Sequence, residues 1–418
     1  MTMPTKIAVI GGAGAMGRIT VRDLVEFSGK NDSIVIADYD FAKAQDFAAT
    51  LNDPRVSAIR VDVRNHEEAA KNLVGCKVII NSVQYQLNLD VMQIALKAGA
   101  NYVDLGGLFH MTRRQMELND EFKAKGLLAI IGMGAAPGIT NILSRMGADE
   151  LDEVTEIHTR VAGRDLSKYS WTPALPVSYS LQTILEEFSY QPAVFTKGKF
   201  TFVEPMSGNK PHRFPNPVGV QRPMHTIHSE VATLPLSFAY KGVKEVTFKI
   251  AFDDEFVDRV RFLRDMGMAS HEPVDIGGIK VSPIAVVNKV AMAQNAAKMT
   301  GKPKQHEIVR AIVKGWSAPV KTKASKKPAA KTVSAKKSKF TYILDCHTKG
   351  MPKWGVGTDI NTGTPPAIAA MMIGRGEIPD SGVVAPENCI HPKSFVRELA
   401  RRKMTVEITR KRGWDVPV

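Results

Sequence analysis

The stretch IAVIGGAGAMG, residues 7–17, places four apolar residues directly before a glycine-rich turn. Within it, residues 12–17 read GxGxxG between a predicted strand and a predicted helix. In this pattern the first glycine permits a tight turn, the second lets the backbone approach a pyrophosphate, and the third allows close helix packing. The N–H groups at the start of the helix hold phosphate without a lysine, in agreement with the absence of GKS or GKT here. The predicted contacts to a dinucleotide are Gly12, Gly14, Ala15, Met16 and Gly17.

Outward from this turn, short Val- and Ile-rich runs alternate with helical stretches from Ile7 to about Ile131. The order is βαβαβαβαβ, and uninterrupted apolar strands joined by crossover helices indicate a parallel sheet that is covered on both faces. The predicted fold class is therefore α/β, with a doubly wound parallel sheet of the Rossmann type. We assign residues 1–131 to this dinucleotide-binding domain.

The rhythm changes after GMGAAPGITN, where Pro137, Gly138 and Asn141 open a predicted helix that we interpret as a hinge between domains. Residues 132–362 are rich in proline and aromatic residues and contain candidate strands with few helices between them. This composition predicts a second domain of α+β type, built on an antiparallel or mixed sheet, that serves substrate binding and dimerisation.

The last predicted segment, residues 363–418, contains TPPAIAAMMIGRGEI, which has the apolar spacing of an amphipathic helix and proline in its opening turn. We expect this helix to pack back against the first domain, so that the chain crosses between the domains twice. No internal repeat of about 20–50 residues is visible, which argues against a solenoid or a propeller.

The 418 residues are 44% hydrophobic and 23% charged, which excludes a disordered chain and predicts two or three domains. Three cysteines without CxxC spacing predict neither a disulfide framework nor a zinc site, and ten histidines without HExxH predict no bound metal. GxSxG is absent, so serine hydrolase chemistry is not expected. No apolar run approaches the roughly 20 residues that span a bilayer, and no secretory segment precedes the first strand. We therefore expect a cytoplasmic protein without a membrane partner.

The net charge of +14 is concentrated in residues 317–339, which hold eight lysines and no acidic residue. The neighbouring segments IVRAIVKGW and FTYILDCH alternate like paired strands, so we predict a disordered Lys-rich insert at the end of a hairpin. Weak, salt-sensitive binding of this insert to nucleic acid is the alternative to a solvated loop. Nucleic acid is otherwise not an expected partner.

Two acidic residues follow predicted strands of the first domain. The predicted second strand, within IVIADYD, ends at Asp38, 21 residues beyond Gly17, where a carboxylate accepts hydrogen bonds from an adenosine ribose; capping of the next helix is the alternative. An acid here repels a 2′-phosphate and the next three residues supply no arginine, so NAD is preferred to NADP as the cofactor. Asp62 ends AIRVDV and either reaches the adenine or caps the following helix.

The motifs GGAGAMG, IADYD, VDV, IINSV continued by YQLN, YVDLGG and GMGAAPGITN together resemble the saccharopine dehydrogenase family, especially its lysine 6-dehydrogenase-like members. The similarity covers most of the chain except the lysine-rich insert. It implies an NAD(P)-dependent oxidoreductase that removes hydride from the carbon bearing an amine in lysine or a lysine conjugate, followed by hydrolysis of the imine. The implied substrate is a small amino acid, and we expect a homo-oligomer.

Such chemistry needs a base, because an alkylamine is mostly protonated at pH 7 and must lose a proton. Asp104 in YVDLGG ends a predicted strand, where open parallel sheets place their ligands, and is the first catalytic candidate. Tyr85 follows the IINSV strand and is the second, while Asn81 and Ser82 are expected to contact the nicotinamide ribose. The alternatives are capping of the next segment for Asp104 and simple packing for Tyr85.

In the second domain, the proline-broken stretch RFPNPVGVQRPMHTIHSE predicts a loop. The resemblance runs through its His-Thr pair, so His225 is the predicted acid/base residue there and Thr226 a substrate contact. Arg164 and Arg222 are the predicted carboxylate ligands, because a guanidinium binds a carboxylate through two hydrogen bonds. An ordinary loop histidine and solvated arginines are the alternatives. Lysine carries one carboxylate and saccharopine three, and the choice between them stays open.

A function of a different class also stays open, namely a catalytically silent sensor or scaffold that keeps the dinucleotide-binding fold. Such a protein would bind a nicotinamide cofactor without oxidising any amine. Measuring cofactor binding alongside turnover separates the two hypotheses.

Overall fold

The structure, a computed structural model, describes residues 4–177, 180–294, 297–317 and 337–413. Its first unit follows the predicted alternation of strands and helices. The elements are β1 (Lys6–Ile10), α1 (Ala15–Phe27), β2 (Ser33–Asp38), α2 (Phe41–Leu51), β3 (Val56–Arg60), α3 (His66–Leu73), β4 (Val78–Asn81), α4 (Asn88–Ala98), β5 (Asn101–Asp104), α5 (Leu108–Met116), α6 (Asn119–Ala124) and β6 (Leu128–Ile130).

These six strands form a parallel sheet in the order β3-β2-β1-β4-β5-β6. In β1, Ile7 and Val9 pack into one apolar core, whereas Ala8 and Ile10 pack into the core on the other face. A strand that is buried on both faces reads as an uninterrupted apolar run. The predicted doubly wound sheet is therefore confirmed, and its physical basis is the burial of both faces of each central strand.

The second unit begins with the helix that opens within GMGAAPGITN, whose role as a hinge stays a prediction. Its elements are α7 (Ile139–Asp149), β7 (Glu153–Asp165), β8 (Lys168–Trp171), α8 (Leu181–Glu187), β9 (Ala193–Thr196), β10 (Lys199–Phe202), β11 (His212–Arg213), β12 (Val220–Gln221), α9 (Glu230–Ser237), β13 (Glu245–Ala251), α10 (Asp254–Asp265), β14 (Val274–Ile276), β15 (Ile279–Val281), α11 (Pro283–Met292), β16 (Lys298–Thr300), β17 (Gln305–Ser317) and β18 (Ser338–Thr348).

Four helices, α8 to α11, separate the strands of this unit, so the prediction of few helices is wrong. Their apolar residues recur at spacings of three and four, as Leu181, Ile184 and Leu185 do in α8. The apolar faces of α8, α10 and α11 bury one another in a small core of their own. These helices are short, which weakens their periodic signal in a proline-rich stretch.

The second sheet has the order β10-β9-β13-β7-β17-β18. The pair β13 and β7 is parallel and the other neighbours are antiparallel, so the sheet is mixed, as predicted. The predicted hairpin is confirmed, because β17 pairs with β18 as far as the Ser317–Ser338 pair. Both strands therefore extend into the ends of the segment predicted to be disordered. The prediction for residues 318–336 lies outside the described residues.

The C-terminal segment contributes to both sheets. Its elements are α12 (Ile360–Gly363), α13 (Pro365–Gly374), β19 (Gly382–Val384), α14 (Pro386–Cys389), α15 (Pro392–Arg401) and β20 (Thr405–Arg412). Strand β19 joins the first sheet beside β6 and is parallel to it, and β20 becomes the edge of the second sheet beside β18. The chain thus crosses between the two units three times, not the predicted two, because β20 returns to the second sheet.

Helix α13 packs on the first unit against α1, β4 and β5, and proline opens it as predicted. The prediction that it is amphipathic is wrong, since every residue from Pro365 to Ile373 is buried. Neighbouring elements cover all of its faces, so it has no solvent side. No helix in the described ranges is long and apolar enough to cross a bilayer.

A buried ion pair fixes the C-terminal segment to α1. The Arg402 guanidinium donates to both oxygens of Asp23 at 2.5 and 2.6 Å, and both side chains are fully buried. Arg402 also donates to Glu398 at 2.8 Å and lies 4.2 Å from the centre of the Phe27 ring. Burial raises the pKa of Asp23 to about 6 although the Arg402 charge opposes this. Removing either partner would leave an uncompensated charge in the core.

Candidate active site

The glycine turn connects β1 to α1 and leaves no room for side chains. Gly11 adopts a φ of +73°, so the left-handed residue of the turn precedes the GxGxxG pattern. A Cβ on Gly17 would lie 2.1 Å from the carbonyl oxygen of Gly11, and one on Gly12 would lie 2.8 Å from that of Val9. Gly17 thus packs the helix against the turn, while Gly11 makes the tight turn that we expected of Gly12.

The N-terminus of α1 presents backbone donors that lack acceptors. The N–H groups of residues 15–17 make no hydrogen bond to any residue that the structure describes, and the first turn contains no acidic side chain. Free N–H groups and the positive end of the helix dipole together favour an anion at this position. The turn therefore fits the diphosphate of a dinucleotide, which backbone atoms alone would hold.

Asp38 lies at the end of β2, beside this turn. Its Oδ2 accepts a hydrogen bond from the Ala13 N–H at 3.0 Å, and its Oδ1 accepts one from the Asp40 N–H at 3.0 Å. The alternative that Asp38 caps the next helix is wrong, because Asp40 caps α2 by accepting from the Lys43 N–H at 3.1 Å. Asp38 is thereby fixed at the carboxyl end of β2, where its contact with a ribose stays a prediction.

The end of β3 lies next to Asp38 and carries an arginine. Arg60 is the neighbour of Asp38 across the sheet, and its guanidinium lies 5.6 Å from the centre of the Tyr39 ring. We expected no arginine near Asp38 because the residues that follow it contain none; Arg60 arrives through the pairing of β2 with β3. Further along, Asn65 caps α3, so the alternative that Asp62 caps this helix is wrong. The adenine contact of Asp62 stays a prediction.

Tyr85 joins the two units through a buried carboxylate of α8. Its hydroxyl donates to Glu186 Oε2 at 2.7 Å, and Gln86 Nε2 donates to the same carboxylate at 3.1 Å. Gln182 Nε2 at 3.0 Å and His271 Nε2 at 2.7 Å complete the set around Glu186, which is 1% exposed. Burial and the Glu186 charge raise the pKa of Tyr85 above its usual range. Glu186 is therefore held at the domain contact by donors from both units.

The next residue of α8, Glu187, is buried and carries a second carboxyl group at this contact. Its side chain makes no hydrogen bond within the described part of the chain, although the residue is only 4% exposed. Burial raises the pKa of Glu187 to about 7; the charges of Glu230 and Glu186 add to this and that of His228 opposes it. A carboxyl group with such a pKa exchanges protons near neutral pH, which is the property of a general acid or base.

His228 completes an acid–base cluster, defined here as Glu187, His228 and Glu230. The His228 ring stacks on Phe248 with centroids 3.7 Å apart, and its Nδ1 hydrogen-bonds Glu230, which is fully buried. Thr140 in α7 donates to the other oxygen of Glu230 at 2.7 Å. Burial lowers the pKa of His228, but the charges of Glu230 and Glu187 outweigh this and raise it overall. Among the described residues its Nε2 has no partner, so this atom is available to a substrate.

The cluster lies at the edge of the first sheet where ligands bind in doubly wound folds. The N–H of Gly107, just after β5, donates to Ser229 Oγ at 3.2 Å, and Ser229 is the residue between His228 and Glu230. Carboxyl ends of parallel strands form the usual ligand crevice of such sheets. The contact therefore places the histidine of the second unit against the crevice of the first.

Asp104, the first catalytic candidate, has a different environment from the one expected. It is 1% exposed, and burial raises the pKa of its carboxyl group. Five donors at 2.5–3.3 Å occupy its two oxygens, namely the N–H groups of Gly106 and Gly132 and the side chains of Tyr102, Gln115 and Asn88. Its geometry is that of a residue that holds the turns after β5 and β6 in place.

Asn81 and Ser82, both expected to meet the nicotinamide ribose, differ in their availability. The Asn81 amide donates to Asn88 Oδ1 at 2.9 Å and to the Tyr102 hydroxyl at 3.2 Å, and its oxygen accepts from the Val83 N–H at 3.2 Å. Ser82 Oγ is buried and has no hydrogen-bond partner within the residues described. The hydroxyl of Ser82 therefore keeps its hydrogen-bonding capacity unused, whereas the Asn81 side chain is already engaged.

The second-domain candidates lie away from the cluster. His225 donates from Nδ1 to the carbonyl oxygen of Phe248 at 3.2 Å, and its pKa is lowered to about 3 by burial and then by the charge of Lys249. Lys249 and the Phe248 side chain point to opposite faces of β13, so the structure does not bring His225 to His228. Arg164 and Arg222 are exposed, in agreement with the solvated alternative, and the Thr226 hydroxyl is buried without a partner among the described residues.

Sequence reasoning missed both glutamates of α8 and selected His225 of the HTIHSE stretch, whereas the structure places His228 beside Glu230; the acid/base role of His225 stays a prediction. One available signal was the spacing of His228 and Glu230, since a carboxylate two residues from a histidine can orient its ring. The signal for Glu187 was weaker, because a pair of acids on a short helix is usually solvated. In the described ranges no three His, Cys, Asp or Glu side chains are grouped to hold a metal ion.

Comparisons with known proteins cover nearly the whole chain. Residues 7–130 match the saccharopine dehydrogenase NADP binding domain and residues 134–404 match the saccharopine dehydrogenase C-terminal domain. Carboxyaminopropylagmatine dehydrogenase of Synechocystis sp. is 22% identical, with 94% of each chain covered. Carboxynorspermidine synthase of Vibrio cholerae is 21% identical, with 97% of this chain and 95% of that protein covered.

Among solved structures, apo histidine-tagged saccharopine dehydrogenase (L-Glu forming) from Saccharomyces cerevisiae is similar with a TM-score of 0.67. The two share 16% identity, and the match covers 97% of this chain and 100% of that one, so it shows the fold. The match to the dinucleotide-binding domain and the glycine turn together indicate a nicotinamide dinucleotide cofactor. This chain belongs to the saccharopine dehydrogenase family of oxidoreductases.

Proposed function

We propose that this protein is a nicotinamide-dependent dehydrogenase that acts on the carbon bearing an amine in a small substrate with one carboxylate and further amines. The substrate class is that of carboxylated polyamines, to which the compounds named for the two curated relatives belong. Lysine or a lysine conjugate is the second candidate, supported by the family and by the single carboxylate of lysine. The observation that carries the proposal is Glu187, buried and unpaired within the described residues, beside the His228–Glu230 pair.

The charge of the cleft favours a cationic substrate. Glu186 and Glu187 of α8 and Glu230 of α9 bring three carboxyl groups to the domain contact. Arg164, one of the arginines expected to bind several substrate carboxylates, is exposed and bonds the carbonyl oxygen of Pro217 at 3.4 Å. A tricarboxylate such as saccharopine would meet repulsion from these acids, whereas an ammonium group would be attracted.

The proton chemistry follows from the protonation states in the cluster. A substrate ammonium must lose a proton before hydride leaves its carbon, and Glu187 with a pKa of about 7 accepts it. His228, oriented by Glu230 through Nδ1, uses Nε2 to move the proton of the water that adds to the imine. A bound nicotinamide dinucleotide supplies the hydride acceptor. Tyr85 and its partners hold Glu186 in place for a second ammonium group.

Asp104 acts in this proposal as a positioning residue and not as the base. Its oxygens bind the N–H groups of Gly106 and Gly132, and these turns carry Gly107, the contact to Ser229. The predicted cofactor, NAD, is kept in the proposal, because the Asp38 carboxylate at the end of β2 suits a ribose with a free 2′-hydroxyl. A 2′-phosphate would need a cation beside Asp38, and Arg60 is the arginine paired with Asp38 across the sheet. Comparing NAD with NADP therefore tests the preference for NAD directly.

The test is a spectrophotometric assay of the full chain with NAD or NADP and a panel of amines, which includes L-lysine, saccharopine and carboxynorspermidine. We expect reduction of the cofactor with a carboxylated polyamine, and a loss of at least about 100-fold in kcat in Glu187→Gln and His228→Asn. Calorimetry with NADH should give unchanged affinity in both variants, since neither residue lies at the glycine turn. If the protein binds cofactor but turns over no amine, the silent sensor is the better description.

A further inference from the structure

A row of three cations crosses the face of the second sheet that lies opposite the acid–base cluster. Lys249 of β13 pairs with Arg160 of β7, and Arg160 pairs in turn with Arg310 of β17. Directly paired residues share a face of the sheet, and like charges at such positions repel. Next in the row comes Asp345 of β18, which accepts from Arg310 at 2.6 and 2.7 Å, and the exposed Glu407 of β20 pairs with Asp345 at the end of the row. Both carboxylates of the row therefore lie at one end, and neither is paired across the sheet with Arg160 or Lys249.

Arg160, in the middle of the row, is 2% exposed and has no acidic partner in the part of the chain that the structure describes. Its Nη1 donates to the carbonyl oxygen of Thr159 at 2.6 Å and to Thr247 Oγ1 at 3.1 Å. Lys249 donates to the carbonyl oxygen of Gly208 at 2.8 Å. Within the described residues neither cation forms an ion pair. Buried charges are normally paired, so this arrangement lacks its anion.

Among the described residues, the other carboxylates on this face do not supply the missing charge. Glu245 of β13 accepts from Thr196 Oγ1 at 3.0 Å and from the Lys197 N–H at 2.8 Å, and Glu407 is paired across the sheet with Asp345. Glu156, four residues before Arg160 on the same strand, is already bonded to Lys314 at 2.9 Å and to His158 at 3.0 Å. Burial and the Arg310 charge lower the pKa of Arg160 to about 9. The positions of the three cations and the lowered pKa of Arg160 both indicate that the cations repel one another, and no anion beside Arg160 within the described residues offsets this repulsion.

The segment between β10 and α9 forms a roof over the row. His212 Nε2 lies 3.0 Å from Arg310 Nη1, and burial lowers the pKa of His212 to about 4. Gly208 has a φ of +70°, and a Cβ on it would lie 2.9 Å from both Lys249 Nζ and His225 Cδ2. His212 and His225 are therefore neutral at pH 7, so they form hydrogen bonds in the roof without adding charge to the row. The glycine therefore lets the roof backbone approach Lys249 and His225 more closely than any side chain would allow.

The cationic row of Lys249, Arg160 and Arg310, together with the roof over it, is called here the cationic chamber. It is separate from the candidate active site. Phe248, which carries the His228 ring, points to one face of β13, and Lys249 points to the other. None of Arg160, Lys249 and Arg310 takes part in the proton chemistry proposed above. The chamber therefore has a function of its own to account for.

We propose that the chamber binds a small oxyanion, a phosphate or a carboxylate, between Arg160 and Lys249. A guanidinium presents two parallel N–H groups to two oxygens of such an anion, and the ammonium group of the lysine adds a third donor. The anion neutralises the repulsion across the row and ties the roof to the sheet. Inorganic phosphate and organic carboxylates share this chemistry, and the experiment treats them as separate arms.

The experiment follows thermal unfolding of the full chain in a zwitterionic buffer during titration with inorganic phosphate, with succinate, or with sodium chloride at matched ionic strength. We expect a saturable rise in Tm with phosphate or with succinate that chloride does not reproduce, and the stronger of the two identifies the source. Calorimetry of the same titrations gives the Kd. No saturable effect of either anion on the wild-type protein overturns the proposal.

Arg160→Met tests the site itself, and Arg164→Met is its matched control. Arg164 lies four residues further along β7 and is exposed, so its removal changes the net charge equally but leaves the row intact. We expect Arg160→Met to lose the saturable response and, without anion, to unfold at a higher temperature than wild type, because it removes an unpaired buried charge. A purely structural arginine would give the opposite sign. Lys249→Met, at a half-buried position, should weaken the response at least tenfold; an unchanged response in both variants refutes the assignment.

Discussion

Glu187→Gln should make the protein more stable at alkaline pH while it abolishes the proposed activity. The fold raises the pKa of this carboxyl group from 4.5 to about 7. Below pH 4.5 Glu187 keeps its proton in both the folded and the unfolded chain, so its burial does not reduce the free energy of unfolding. Between pH 4.5 and about 7 the unfolded chain has released this proton while the folded chain keeps it, so stability falls as the pH rises towards the folded-state pKa. The difference between the two pKa values corresponds to about 3 kcal/mol, lost in full above pH 7.

Glutamine has the shape of the protonated carboxyl and loses nothing as the pH rises. The variant should therefore be more stable than wild type by about 3 kcal/mol at pH 8.5 and by about 1 kcal/mol near pH 5.5. For a domain of this size the alkaline gain corresponds to a rise in Tm of roughly 6–12 °C. Urea unfolding followed by tryptophan fluorescence at both pH values measures the gap.

The neighbouring residue provides a control with the opposite sign. Glu186 accepts hydrogen bonds from Tyr85, Gln86, Gln182 and His271, so Glu186→Gln should lower stability at both pH values. If Glu187→Gln is no more stable than wild type at pH 8.5, or if its advantage does not change with pH, the carboxylate has a partner and the reasoning fails.

Four further predictions concern the cofactor, the catalytic pair and the core. His228→Asn should lower kcat by about 10²–10⁴-fold with little change in NADH affinity, and a loss of less than tenfold would remove His228 from the mechanism. Gly17→Ala should abolish NADH binding in calorimetry, because its Cβ would lie 2.1 Å from a backbone carbonyl oxygen of the turn; retained affinity would contradict the packing. Asp38→Ala should weaken NADH binding and narrow any preference over NADPH, whereas an unchanged ratio of the two Kd values would place the ribose elsewhere. Arg402→Ala should destabilise the protein by about 3–5 kcal/mol in urea unfolding, since it leaves the fully buried Asp23 carboxyl without the cation that pairs with it; a change below about 1 kcal/mol would show that the pair is dispensable.

The first sheet was predictable because its signals are local. Each central strand is covered on both faces, so its apolar run is uninterrupted and its boundaries are marked by the neighbouring helix caps and glycines. The turn at residues 11–17 is likewise encoded by glycines whose missing side chains the backbone requires. The hairpin of β17 and β18 followed from strand alternation alone, although a long segment separates its two halves.

The parts that escaped prediction depend on distant partners. Strand β20 pairs with β18, and β19 joins β6, only after the chain has completed both units, and no local pattern specifies either partner. The faces of β13 decide that His228 meets the cleft while His225 meets Lys249, and the register that sets those faces is a property of the sheet. Arg60 comes beside Asp38 for the same reason.

The path of the C-terminal segment has a consequence for how this enzyme can be dissected. A recombinant fragment that ended near residue 131 would lack β19 and the wholly apolar α13. Strand β6 would then become an exposed edge of the sheet, and the apolar surface that α13 covers would face water. A fragment that began near residue 134 would keep β20, which completes its sheet. It would also carry α13, whose apolar surface would be exposed because the first unit that covers it would be missing. We therefore expect neither fragment to be stable and soluble by itself. A fragment that contains the complete first unit would have to include both the N-terminal residues and the C-terminal segment.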